Sequence, residues 1–276
     1  MTEPDAADAA ADFLSGTSGQ VFGIRATSRA LVADGLADAW AIGCAQPWRL
    51  RRAARAWPQR RVLALGVERA GEPNLLAAAR EELMRSHHHV RFESTTVGEL
   101  GKFENLNRLL ARAPAQGHDW LLVIDDDVWL PRGFMDAFVF LAERFRLALA
   151  QPAHRARSHA AWAITRRRAG SVVRETAYVE IGPVVGFHRV TFEALLPFPE
   201  LRFGWGLESH WAAVARQHGW RLGILDATAI RHGFRRIAAA YDRADAIAEG
   251  RSFLAGRPYL KASESQRTYA THRTWA

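Results

Sequence analysis

At 276 residues, with 49% apolar side chains and 10 tryptophans, the chain has enough core for one large domain or two small ones, which excludes global disorder. Its formal charge of +8 is carried by arginine, since Lys102 and Lys261 are the only lysines; this favours phosphate-bearing partners or an anionic surface, and an arginine-rich codon usage accounts for it equally well. The basic residues are scattered, so no nucleic-acid partner is expected, and a lone Cys44 excludes an internal disulfide or a thiolate metal site, as fits a reducing cytosol.

Residues 1–19 are small, acidic and polar and read as a disordered tail, without the basic-then-apolar pattern of a signal peptide. Residues 20–58 have helical spacing broken at Gly43 and Pro47, and Arg49 to Arg55 form a basic helical face that is either solvated or in peripheral contact with a membrane. No uncharged apolar span approaches the length of a membrane helix: the most apolar stretch, Phe134 to Ala150, contains Asp136, Glu143, Arg144 and Arg146. A cytoplasmic protein is expected.

From Arg61 strand and helix alternate, which predicts a Rossmann-like, doubly wound half. Arg61 to Val67 is the first strand. Asn74 caps a helix to about Ser86, Val90 to Glu93 is a short second strand, and Lys102 to Ala113 is a second helix. Trp120 to Ile124 is a buried strand, Pro131 to Phe145 a helix, and Arg146 to Gln151 a fourth strand. The consecutive His87, His88 and His89 cannot all face one site and read as a helix-to-strand junction.

Beyond that point the period is lost. His154 to Glu175 is a polar loop or ragged hairpin whose Arg166 to Arg168 either clamp a diphosphate or are solvated. Val172 to Val173 and Ala177 to Phe187 are extended, Thr191 to Leu196 is a short helix, Leu207 to His218 a longer one, and Arg221 to Leu225 a late strand running on to His232. Residues 236–276 read as a C-terminal helix and tail.

The sharpest feature is Asp125-Asp126-Asp127 at the end of the Trp120 strand. Open α/β sheets place ligands at that end. Alternation puts Asp125 and Asp127 on one face and Asp126 on the other. Two ionised carboxylates about 5 Å apart repel by roughly 3 kcal/mol at an effective dielectric of 20, and Mn2+ or Mg2+ would relieve that repulsion. The alternative is a set of loop acids capping the next helix.

The surroundings carry a resemblance. Gly101-Lys102-Phe103-Glu104-Asn105-Leu106-Asn107, Gly204-Trp205-Gly206-Leu207-Glu208 and His232 resemble, in order and spacing, segments of family 2 glycosyltransferases with the GT-A fold. Ala150 to Ala153, Tyr178 to Glu180 and Gly182 to Val184 also resemble a plant-typical domain of unknown function, 707, over residues 125–232. The resemblance implies a single GT-A-like α/β domain over 59–235: a Rossmann-like nucleotide half joined to an acceptor half with mixed sheet.

The same resemblance implies metal-dependent, inverting transfer of a sugar from a nucleoside diphosphate sugar to a glycan, lipid-linked or small-molecule acceptor. Asp127, Asp125 and His232 would hold the metal, with Asp125 reaching the ribose or a metal-bound water. Lys102, Glu93 and Asp126 would serve the donor, Glu93 at the nucleobase, and Asn107 would orient the acid strand. Glu208 would be the base that deprotonates the acceptor, its place at a helix N-terminus favouring the ionised form. Trp205, Gly206 and Glu180 would line the acceptor side. Two other readings stay open. One is a haloacid-dehalogenase-like phosphatase with Asp125 as nucleophile, for which no suitable downstream lysine is evident. The other is a non-catalytic sugar-nucleotide or glycan-binding protein.

Overall fold

Two helices, α1 (Gly23–Gly43) and α2 (Gln46–Arg55), precede the strand–helix alternation. It runs β1 (Arg61–Glu68), α3 (Leu76–Met84), β2 (His89–Thr96), α4 (Lys102–Arg112), β3 (Trp120–Asp125), β4 (Val128–Trp129), α5 (Phe134–Arg144) and β5 (Leu147–His154). The second half adds β6 (Val173–Thr176), β7 (Val184–His188), α6 (Phe192–Leu195), α7 (Leu207–Gln217), β8 (Arg221–His232), α8 (Arg243–Leu254), α9 (Ala262–Ser265) and β9 (Thr268–His272). The structure is a computed structural model, and it describes residues 13–14, 21, 23–69, 71–233 and 242–276.

One sheet organises these elements, in the order β2-β1-β3-β7-β5-β8-β6-β9, with β4 paired to β8 off that path. The β2-β1-β3 part is parallel, as right-handed strand–helix–strand units require. β7 then enters antiparallel between β3 and β5, and β5 pairs β8 in parallel. This is the mixed α/β class with a mixed sheet that the sequence implies.

Alternate residues of one strand feed opposite cores, so uninterrupted apolar runs are required. On one face Leu63, Leu65, Leu121 and Val123 pack with Leu106, Trp211 and Phe253. On the other, Val62, Ala64, Leu122 and Ile124 pack with Leu76, Phe138 and Leu50.

Several boundaries differ from the sequence reading. The N-cap of α3 is Leu75 and not Asn74, which sits one residue earlier with its Oδ1 accepting from Leu76 N at 3.2 Å. α5 starts at Phe134 instead of Pro131, and Ala177 to Pro183 form no strand. The reading of 236–276 as helix and tail is corrected at its end: β9 pairs antiparallel with β6 and becomes the edge strand of the sheet. Its residues 236–241 lie outside the described ones. Within the section read as a disordered tail, Phe13 is buried in the core beside Gly206 and Gly250, so that reading fails for this residue; the other residues of 1–19, apart from Leu14, lie outside the described ones.

Candidate functional site

β3 ends at Asp125, and Asp126 and Asp127 form the turn into β4. Strand alternation therefore stops at the first acid, and the turn aims the other two. Each acid acquires its own donors. Asp125 Oδ1 lies 2.6 Å from Lys102 Nζ, which also donates to Ile181 O at 3.1 Å. Gly182 makes room for this pair: a Cβ there would come within 2.8 Å of Asp125 Oδ2 and 3.0 Å of Lys102 Nζ. Asp126 turns the other way, its Oδ2 accepting from Arg69 N at 2.9 Å and its backbone oxygen from Leu75 N at 2.6 Å. It braces the loop after β1 and does not face the Asp125 side.

Asp127 is buried, and its Oδ1 is 3.1 Å from His232 Nε2. β4 and β8 bring them together, since Val128 pairs with His232. His232 Nδ1 lies 3.3 Å from His159 O, a carbonyl that can only accept, so Nδ1 carries the proton and Nε2 presents a lone pair to the carboxylate. Two facing acceptors need a positive centre between them. A second proton on His232 is one solution: burial opposes that charge, but the bond to Asp127 and the fields of Asp127 and Asp125 outweigh it and raise the imidazole pKa. A divalent cation is the other. Carboxylate plus imidazole, with a second carboxylate adjacent and a carbonyl fixing the tautomer, suits Mn2+ better than the all-oxygen preference of Mg2+. Asp127 and His232 thus offer two ligand atoms of the kind a metal takes, whereas the group of three or more close enough to hold an ion among the described residues is His87, His88 and Asp136.

A second layer of polar groups runs inward from His232. Its ring lies 6.2 Å from that of His154, whose Nε2 is 3.1 Å from Glu180 Oε2. Glu180 is buried and committed: Oε1 accepts from Trp162 N at 2.8 Å and Thr165 Oγ1 at 3.0 Å. Its carboxylate oxygens are thus held by the surrounding fold.

Glu208, in the first turn of α7, is 9% exposed, and its Oε2 is buried without a hydrogen bond, as is the neighbouring Tyr178 hydroxyl. The two groups interact, yet their geometry falls short of a hydrogen bond. Burial pushes the Glu208 carboxyl up to about 7, against the backbone N–H groups and Tyr178, which lower it. The expectation that the helix N-terminus keeps Glu208 ionised is thereby corrected: desolvation wins over the helix end. A carboxyl titrating near 7 is poised to give and take a proton at neutral pH.

The remaining predicted residues are occupied elsewhere. Asn107 donates to Phe198 O at 2.7 Å and accepts from Phe198 N at 2.9 Å, so it fastens α4 to the 196–199 segment instead of orienting β3. Glu93 lies inside β2, three residues before its end, and pairs with Arg91 at 2.8 Å. Trp205 is partly buried against the core, with the Arg243 guanidinium 5.6 Å from its ring. Gly206 adopts φ +87 to start α7, and Glu249 of α8 holds the preceding backbone by accepting from Phe203 N and Gly204 N, both at 2.9 Å.

In the Arg166–Arg168 run the first two side chains are engaged by the fold and the Arg168 side chain is exposed. Arg166 donates to Ser158 O at 2.7 Å, Arg167 pairs with Asp38 at 2.6 Å, and Arg168 N donates to Asp226 at 2.9 Å. Of the three histidines, the structure brings His87 and His88 together with Asp136, with ligand-type atoms within 4.8 Å of one another. Asp136 Oδ1 takes the Ser86 hydroxyl and His87 N, and His88 Nδ1 takes Arg60 N, while His87 Nδ1 and His88 Nε2 are buried without a hydrogen bond.

His154 and Tyr178 were missed by sequence reasoning. His154 had a signal: like His232, it ends an apolar strand.

No protein-family model and no curated protein matches the chain. Solved structures are similar at low identity. S. aureus TarS 1–349 in complex with UDP-GlcNAc is 9% identical over 75% of this chain and 69% of that one, with a TM-score of 0.47. GalNAc-T7 with UDP, GalNAc and Mn2+ is 10% identical over 64% of this chain and 44% of that one, at 0.43. A197 from STIV is 12% identical over 64% and 87%, at 0.44. Likeness at this level says nothing about chemistry. No helix among the described residues is long and apolar enough to cross a membrane.

Proposed function

We propose that this chain is a GT-A-like glycosyltransferase that moves a sugar from a nucleoside diphosphate sugar to an acceptor hydroxyl, with inversion. The observation that carries the reading is the pair of facing acceptors, Asp127 Oδ1 and His232 Nε2 at 3.1 Å, beside Asp125 at the ligand-binding end of the sheet. Asp127 and His232 would hold Mn2+ or Mg2+, with Asp125 beside them. When bound, the cation would neutralise charge developing on the diphosphate leaving group. Lys102, 2.6 Å from Asp125, adds a cation for the same phosphates. Glu208 would accept the acceptor's proton, its pKa near 7 matching that role once the carboxyl is uncovered.

The test is a thermal-shift panel of UDP, GDP, CDP and dTDP with and without Mn2+. One nucleotide should stabilise the protein only with metal, and Asp127→Ala should lose that shift and turnover while keeping its fold. No shift with any nucleotide would sink the reading.

One observation favours a second reading. The Lys102–Asp125 pair supplies, from upstream, the lysine that a phosphatase with an aspartate nucleophile needs and that the downstream sequence lacks. Phosphate release from a simple phosphoester without any sugar nucleotide, lost in Asp125→Asn, would select it.

A further inference from the structure

α1 buries its acids and leaves much of its apolar surface exposed. Its acidic residues face the protein: Asp34 accepts from Ala156 N at 2.8 Å and Arg157 N at 3.0 Å, and Asp38 pairs with Arg155 and Arg167. Ala30, Asp34 and Ala41 are its buried residues. At 3.6 residues per turn, Arg25, Arg29, Val32, Leu36 and Trp40 form one row on roughly the opposite side. That row points outward, with Val32 61%, Leu36 68% and Trp40 46% exposed. Ile24 at the start of the helix is 87% exposed and Trp48 at the start of α2 is 55% exposed.

A helix that turns its acids inward and its aliphatic and indole side chains outward leaves apolar area in water that folding does not remove.

The charges around this face have one sign. Between residues 23 and 56 the arginines are Arg25, Arg29, Arg49, Arg51, Arg52 and Arg55, all exposed, and the only acids are the inward-facing Asp34 and Asp38. We infer that the outer face of α1, with the arginines of α2, binds the surface of a bilayer bearing anionic headgroups. Arginine beside Trp, Leu and Val is the composition of a helix lying in a membrane interface, with the apolar row entering the acyl boundary and the guanidinium groups meeting phosphates. A second copy of the chain is disfavoured because it would bring arginine against arginine. A nucleic acid would meet the arginines but leave the aliphatic row in water. This inference does not rest on the chemistry proposed above.

The test is sedimentation of the full chain with phosphatidylcholine vesicles, alone or with about one-third phosphatidylglycerol. The protein should pellet only with the anionic vesicles. Leu36→Asp with Trp40→Ser, and separately Arg25→Glu with Arg29→Glu, should each weaken that partition by about tenfold or more while circular dichroism stays unchanged. Wild-type protein remaining in the supernatant with anionic vesicles would overturn the inference, as would variants that pellet like wild type. A vesicle-free dimer abolished by Leu36→Asp would overturn it in favour of a second copy.

Discussion

The acids at the end of β3 and the Arg174–Asp226 pair are both clusters of charge on one sheet, and they are built in opposite ways. Asp226 is essentially inaccessible and saturated: Arg174 Nε and Nη2 donate to it at 2.8 and 2.9 Å, and Arg168 N at 2.9 Å. Arg174 spends its other donors on Ile164 O at 2.6 Å and Arg166 O at 2.7 Å. Nothing remains for a ligand. Asp125, by contrast, keeps a side chain 30% exposed, and Asp127 meets the imidazole of His232 at 3.1 Å. A charge with every partner supplied by the fold stabilises it; Asp125, whose side chain is still partly exposed beside Lys102, can also meet a ligand. Glu208 lies between the two, interior like Asp226 but short of partners.

Breaking the closed pair should have the largest effect on stability. Asp226→Ala strands Arg174 in the core and should cost about 3–5 kcal/mol in urea unfolding. Glu208 gives a pH signature. Its folded pKa, about 7, stands above the unfolded value of 4.5, so the protonated form favours folding. That contribution is complete below pH 4.5 and is lost as pH rises toward 7. Glu208→Gln should therefore be more stable than wild type above pH 7, by on the order of 3 kcal/mol, and equal to it near pH 4.

Asn107→Ala removes two hydrogen bonds to Phe198 and should cost about 2 kcal/mol, with the Mn2+-dependent nucleotide shift retained. Asp125→Asn should be the mildest for the fold, under about 1 kcal/mol because its partner Lys102 is also partly exposed. Turnover by that variant should fall by about 100-fold or more, and a destabilisation as large as that of Asp226→Ala would erase the contrast drawn above.

Most of the fold was legible because it is periodic. The apolar run of β3 and the alternation from Arg61 to Gln151 follow from local rules, and the structure has them. The C-terminal strand β9 was not legible, since Thr268 to His272 has no apolar pattern and pairs only because β6 offers an edge. Within the site, Asp125, Asp127 and His232 stood out as acids or imidazole at strand ends, whereas Glu180, Asn107 and Trp205 look the same in sequence whether bound or free. Their partners, Trp162 N, Phe198 and Arg243, lie far along the chain or in loops without a period.

The sequence alone determined that a buried strand delivers three carboxylates to the ligand end of an α/β sheet. That information is local: side-chain type, strand period and turn residues. Tertiary structure alone decided how each carboxylate is used, pairing Asp125 with Lys102, Asp126 with the loop after β1, and Asp127 with His232. It also decided that burial, not the helix end, sets Glu208. Those outcomes depend on desolvation and on partners brought together by folding, and no window of sequence contains either.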